Sequence, residues 1–191
     1  MIESLLNKDI ELFMFLNNLG TTQWDGFWLF MTNKYTAIPL YLLLIFGSFK
    51  IWGTKRTMIH ILVVIALITL SDQTSNLFKN GFERLRPCHD EALEGMFRLV
   101  KERCGGLYSY FSAHAANSMA IAIFFGLLFK NTFKWLFFVL ILWALIVGYS
   151  RIYIGVHFPL DVLTGIVIGG LYGTIFYYIS KVLFKKFSEL N

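Results

Sequence analysis

Five apolar runs separated by polar breaks constrain this chain more than any other feature. They are residues 36–49 (TAIPLYLLLIFGSF), 57–78, 115–129, 135–149 and 160–180. Some are shorter than the ~20 residues a full span needs, so their ends must borrow polar neighbours. With 57% hydrophobic and only 15% charged residues, a chain of 191 residues cannot hide this surface in a soluble core, and lipid must cover it. The first 33 residues read differently. Leu12, Phe13, Phe15 and Leu16, then Trp24, Phe27, Trp28 and Phe30, alternate with polar groups. That pattern suits one or two amphipathic helices lying at the interface better than a sixth span. Acids and amides early in this stretch also argue against a cleaved leader. The expectation is an all-α polytopic transmembrane helix bundle of about five spans. It forms one membrane-embedded domain over 1–191, with interfacial helices in 1–33 and a polar loop over 80–112.

Orientation follows from charge and cysteine. Five spans put residues 50–56, 130–134 and the tail after 180 on one side with eight lysines and arginines, and nine on the other. The count of basic residues alone is a tie. Residues 80–111, however, pair five basic residues with five acids, whereas the first side is almost free of acids. Cys88 and Cys104, the only cysteines, share that same loop. A disulfide between them would persist only in an oxidising compartment, which places the loop outside the cell or in the periplasm. The expected location is the bacterial inner (cytoplasmic) membrane. The net charge of +5 is scattered and forms no nucleic-acid stripe, so no nucleic-acid partner is expected.

The remaining polar residues gather at that outward level. Lys79 ends the second run, Arg86 follows it, and Ser112 and His114 open the third. Arg151 follows the fourth, and His157 and Asp161 open the fifth. Three fixed cations, two with arginine forks, suit the oxygens of a phosphate. Ser112 stands at a helix start, where its hydroxyl and the backbone N–H groups after it can also meet an anion. Two histidines beside such a cradle offer a nucleophile and a proton donor. Asp161, one turn beyond His157, can hold one ring nitrogen so that the other points at the substrate. Carboxylates do not cluster as a hard-metal site would need, so the fixed cations would do the work of a metal ion.

The segments KNGFERLRP (Lys79 to Pro87), FSAH (Phe111 to His114) and SRIYIGVHFPLD (Ser150 to Asp161) resemble the three motifs of the type 2 phosphatidic acid phosphatase superfamily. Those motifs run K-x6-R-P, P-S-G-H and S-R-x5-H-x3-D. The first and third match in every defining residue and interval. The resemblance implies that His157 attacks phosphorus to form a phosphohistidine, oriented by Asp161. It implies that His114 protonates the leaving oxygen and then activates water. Lys79, Arg86, Arg151 and Ser112, with backbone N–H groups near Ala113, would bind the phosphoryl oxygens. Neither metal nor cofactor is implied. The middle motif departs from the pattern, with Phe111 for proline and Ala113 for glycine; the added methyl would tighten the pocket slightly.

The partner implied is the bilayer itself, with a membrane lipid carrying a phosphate or pyrophosphate as substrate. A phosphotransferase would share the same intermediate. A lipid transporter or scramblase would want charges near the midplane, whereas these stand at one face. Asp72, on the inward face of its helix with Ser75, Asn76 and Lys79, either tunes that lysine or bonds a neighbouring helix. Asn117, one turn below His114, reads as structural.

Overall fold

The computed structural model of the protein describes residues 2–101 and 103–189. They form helices α1 (Ile2–Asn18), α2 (Thr22–Thr32), α3 (Ile38–Phe82), α4 (Ala113–Phe129), α5 (Lys134–Tyr153) and α6 (Pro159–Glu189). The described residues contain no strand, and the fold is an all-α polytopic bundle. Helices α3, α5 and α6 are long and apolar enough to cross a membrane, and the 17-residue α4 is a shorter apolar helix.

The 45-residue α3 is not one rod. Gly53 adopts φ 75°, ψ −179°, a region open to glycine and to almost nothing else. The Ser48 hydroxyl lies 2.8 Å from His60 Nδ1 and 3.2 Å from Thr57 Oγ1. A straight helix would hold residues 48 and 60 roughly 18 Å apart. The chain therefore folds back at Gly53, and α3 is an antiparallel hairpin with arms at residues 38–52 and 54–82. The two arms correspond to the first two apolar runs of the sequence.

Helix α4 lies at the centre. Its interface with α6 is built from small residues, as expected where no hydrophobic force drives helices together and close backbone approach must supply the contact. Gly165, Gly169 and Gly173 form one stripe of α6 facing Ala115, Ala116 and Ala120 of α4. A methyl on Gly165 would come within 2.6 Å of the Ser112 carbonyl, and one on Gly173 within 2.5 Å of the Ala120 carbonyl. At Gly169 it would run into the Ala116 backbone. Outward faces keep apolar side chains exposed, among them Leu43, Leu62, Phe138 and Val182.

The first two helices pack across the polar end of the bundle, and α1 turns both polar and apolar side chains inward. Helix α1 buries Asp9, Phe13 and Asn17, four residues apart on one face, and leaves Leu5, Leu12 and Phe15 exposed. Asn17 is fully buried; its amide nitrogen lies 2.8 Å from the Tyr153 carbonyl and 3.0 Å from that of Ile152, capping the end of α5. Its Oδ1 accepts the Arg98 N–H at 2.7 Å. Helix α2 is tied to the same place, since Asp25 accepts from Arg98 Nη2 at 2.9 Å and from the Tyr153 hydroxyl at 2.9 Å.

The polar loop between α3 and α4 doubles back on itself. The Ser109 N–H donates to the Arg84 carbonyl at 2.8 Å and the Arg86 N–H to that of Leu107 at 3.1 Å. Cys88 and Cys104 are joined in a disulfide, their Cα atoms 6.0 Å apart.

The α4–α6 seam generates a comparison. Gly169→Ala should cost about 1–3 kcal/mol of stability, because the new methyl meets backbone that cannot step aside. Gly170→Ala, where a methyl meets nothing within 4 Å, should be neutral. Thermal unfolding in detergent measures both; equal midpoints would show that the seam is looser than described.

Candidate functional site

The helix ends and the doubled-back loop bring the three sequence motifs together. Arg151, at the last turn of α5, is buried, and one of its Nη groups donates to the Thr32 hydroxyl at the end of α2. Its Nε has no partner. Arg86, also buried, is held by loop carbonyls, with Nε donating to Tyr108 at 3.2 Å and Nη1 to Cys104 at 3.4 Å. Lys79 stands on the last turn of α3, within electrostatic reach of both arginines. No carboxylate forms an ion pair with Lys79, Arg86 or Arg151 among the described residues. Three partly or fully buried cations facing one another, with Asp72 and Asp161 within electrostatic reach but in no ion pair with them, form a costly arrangement that an anion would relieve.

His157 faces this cluster from the turn between α5 and α6. The turn depends on Gly155 at φ 82°, where a side chain would strike the Arg98 carbonyl at 2.7 Å. His157 is 2% exposed and Asp161 fully buried, with His157 Nδ1 3.3 Å from Asp161 Oδ2. The same oxygen accepts the Phe158 N–H at 2.9 Å. Burial holds the His157 imidazole well below its ordinary value, and Arg151, Arg86 and Lys79 push the same way, so the ring is neutral at pH 7. In the tautomer whose Nδ1 proton is directed at Asp161, a neutral ring carries its lone pair on Nε2.

Asp161 is itself held from behind. Arg84 Nη1 lies 3.2 Å from Asp161 Oδ1, and Arg84 Nη2 pairs with Asp9 Oδ2 at 2.7 Å. Asp9 Oδ1 accepts the Leu160 N–H at 2.8 Å, and the Arg84 guanidinium lies 3.9 Å over the Phe158 ring. Burial pushes the Asp9 carboxyl up, against the lowering effect of the Leu160 N–H and Arg84. One guanidinium thus serves two buried carboxylates, one of them on the N-terminal helix.

The third motif member opens α4. Ser112 is the N-cap, its hydroxyl accepting the Ala115 N–H at 3.4 Å and its own N–H donating to the Asp161 carbonyl at 3.0 Å. The N–H groups of Ala113 and His114 belong to the first turn, which has no acceptors within its own helix. His114 is within electrostatic reach of Arg151, His157, Lys79 and Lys101. It also lines a cavity of about 250 Å³ with Ala113, Asn117, Tyr41 and Trp143, on the flank between the first arm of α3 and α5. Asn117 donates to Asp72 Oδ1 at 2.8 Å, so Asp72 does bond a neighbouring helix; it also stands within electrostatic reach of Lys79. Phe111, in the place of the family's proline, is fully buried edge-on to Phe78, and its carbonyl accepts from Ser75.

All eight predicted binding and catalytic residues therefore meet at one end of the bundle. Sequence reasoning missed Arg84, Asp9, Thr32 and Lys101. Arg84 occupies an unspecified position between Lys79 and Arg86, and nothing local marks Thr32 or Lys101. Asp9 did carry a signal, since it shares a helical face with Phe13 and Asn17. Lys101 is lowered by burial and by repulsion from Arg151 and Arg86, which makes it a fourth cation beside the site. Among the described residues, no three His, Cys, Asp or Glu side chains are grouped as a metal site requires.

An apolar helix bundle of this kind is an integral membrane protein. Residues 56–185 match the PAP2 superfamily, and the chain belongs to that family. The lipid A 4'-phosphatase of Bacteroides thetaiotaomicron is 35% identical over 185 residues, covering 96% of this chain and 81% of that protein. An undecaprenyl-diphosphatase of Sulfolobus acidocaldarius is 31% identical over 172 residues, or 87% of this chain and 76% of its own. The crystal structure of Aquifex aeolicus LpxE shares the fold with a TM-score of 0.66 and 31% identity, over 87% of this chain and 93% of that one.

Arg84 should act through Asp161 and not on substrate. Arg84→Gln should lower kcat roughly 10²-fold by letting the His157–Asp161 pair drift, with little change in KM. Arg84→Lys should recover part of the loss, and Asp9→Asn should cost less than Arg84→Gln. A raised KM with unchanged kcat would instead make Arg84 a phosphate ligand.

Proposed function

We propose that this protein removes a terminal phosphate from a lipid A-type glycolipid at the outer face of the cytoplasmic membrane, through a phosphohistidine on His157. The chain is a membrane-bound PAP2 enzyme acting on lipid phosphates. The observation that carries the finer reading is the set of three cations, none in an ion pair with a carboxylate among the described residues, arrayed before a neutral, carboxylate-backed histidine. Lys79, Arg86, Arg151 and the first N–H groups of α4 bind the phosphoryl oxygens and stabilise charge as it spreads onto them. His157 Nε2 forms a bond to phosphorus as the bond to the lipid oxygen breaks, and His114, protonated once the phosphate offsets the cations around it, gives its proton to that oxygen. His114, now neutral, takes a proton from water, whose oxygen displaces Nε2 and releases inorganic phosphate. The cavity beside His114 supports this division, because the proton donor then stands on the side where the lipid leaves.

Two further observations support the details. The Cys88–Cys104 disulfide lies in the loop at the site's own end of the bundle, consistent with an oxidising exterior. Similarity to a lipid A 4'-phosphatase across 96% of the chain favours a phosphorylated glycolipid over the other lipid phosphates.

Purified protein in detergent should release phosphate from lipid A with a higher kcat/KM than from undecaprenyl diphosphate, phosphatidylglycerol phosphate or phosphatidate. Preference for any of the latter would overturn the substrate. Release should survive excess EDTA, since the side-chain cations carry the charge; a loss restored by magnesium would refute that mechanism. His157→Ala should be inactive on every substrate. His114→Ala should slow phosphoenzyme formation from the lipid on the order of 10²–10⁴-fold, yet slow it far less from p-nitrophenyl phosphate, whose phenolate leaves unaided. Equal slowing for both would move His114 from proton donor to phosphate binding.

A further inference from the structure

A second cationic cavity lies at the other end of the bundle, where α3 turns at Gly53 and where α4 and α6 run out. It measures about 320 Å³, and no carboxylate lines it. Its charged groups are Arg56 and Lys181, and its polar groups include Asn131 and Thr132 of the α4–α5 turn. Arg56 is half-buried and does not simply reach toward water. Its guanidinium carbon lies over the Phe184 ring, 3.4 Å from the centroid, which holds the group in place. Lys181 Nζ is 5.6 Å from the Tyr177 centroid. The surrounding surface has the same sign, with Lys50, Lys55, Lys130 and Lys134 in the adjoining turns.

We infer that this cavity binds the anionic phosphate head group of a phospholipid in the leaflet opposite the catalytic pocket. A phosphodiester is the group that a pinned arginine fork and a neighbouring ammonium suit. The observation that favours a lipid over a free anion is a second, almost wholly apolar cavity of about 230 Å³ between the arms of α3 and α4. His60 forms part of the wall of both cavities, and its ring is held by Ser48 at 2.8 Å. A head group on Arg56 and Lys181 would therefore have a slot for an acyl chain directly inward, past His60 and toward Ile61 and Val64.

Native mass spectrometry of the full chain in detergent tests this with three probes: phosphatidylglycerol, phosphatidylcholine of the same acyl chains, and inorganic phosphate. Wild type should bind one phosphatidylglycerol roughly tenfold or more tightly than phosphatidylcholine, given two cations at the membrane surface. The double variant Arg56→Gln/Lys181→Gln should lose that preference, and millimolar inorganic phosphate should not displace the lipid. Lys181→Glu, at an exposed position, should also weaken the preference. Neither residue is near the catalytic end, so phosphate release from the substrate by both variants checks that the bundle is intact. Equal binding of the two lipids by wild type would overturn the proposal, as would an unchanged preference in Lys181→Glu. Displacement by inorganic phosphate would assign the site to a free anion instead.

Discussion

Everything at the polar end depends on how closely α4 and α6 approach. The stripe of Gly165, Gly169 and Gly173 lets the two backbones touch, and this sets the Ser112 N–H on the carbonyl of Asp161. His114 lies just after Ser112 on α4, and His157 lies just before Asp161 in the turn that leads into α6. Neither histidine could keep its place relative to the other if the seam opened by the width of a methyl group. In a membrane, where lipid is as apolar as leucine, such close approach is the main way to bind one helix to another.

Charge is balanced unevenly around that seam. Behind His157, Arg84 stands between Asp161 and Asp9, and the Phe158 and Leu160 N–H groups donate to the same two carboxylates. In front of it, among the described residues, no carboxylate forms an ion pair with the three cations, and the Arg151 Nε has no hydrogen-bond partner. Buried polar groups are normally satisfied, and under the proposed mechanism an anion would complete this face. A braced rear would then hold His157 while the cationic front takes up the phosphate.

Much of this was legible in the chain itself, for physical reasons. Apolar runs announce helices in lipid because every backbone polar group there must be satisfied within the segment. The three motifs announced the site because their residue types are rare near a bilayer. The fold-back at Gly53 also left a trace, as the polar break between the first two runs. What stayed hidden was pairing at a distance. Asp9 and Arg84 are 75 positions apart and meet only because α1 lies across the bundle end with Asp9 on its inward face. Amphipathicity predicted a helix at the interface, but it could not say that Asp9 and Asn17 would turn inward with Phe13 while Leu12 and Phe15 stayed exposed. Lys101 and Thr32 become visible only when loop and helix end are seen against Arg151.

The contact between Asp9 and the start of α6 has a consequence for how the protein comes into being. Asp9 is translated near the beginning and accepts from Leu160, 151 residues later. Arg84, His114 and Arg151 emerge in between, and His157 and Asp161 arrive with the start of α6. His157 and the network that steadies it therefore come together only once α6 is in place. Under the proposed mechanism, a chain interrupted before α6 holds the cations without its nucleophile.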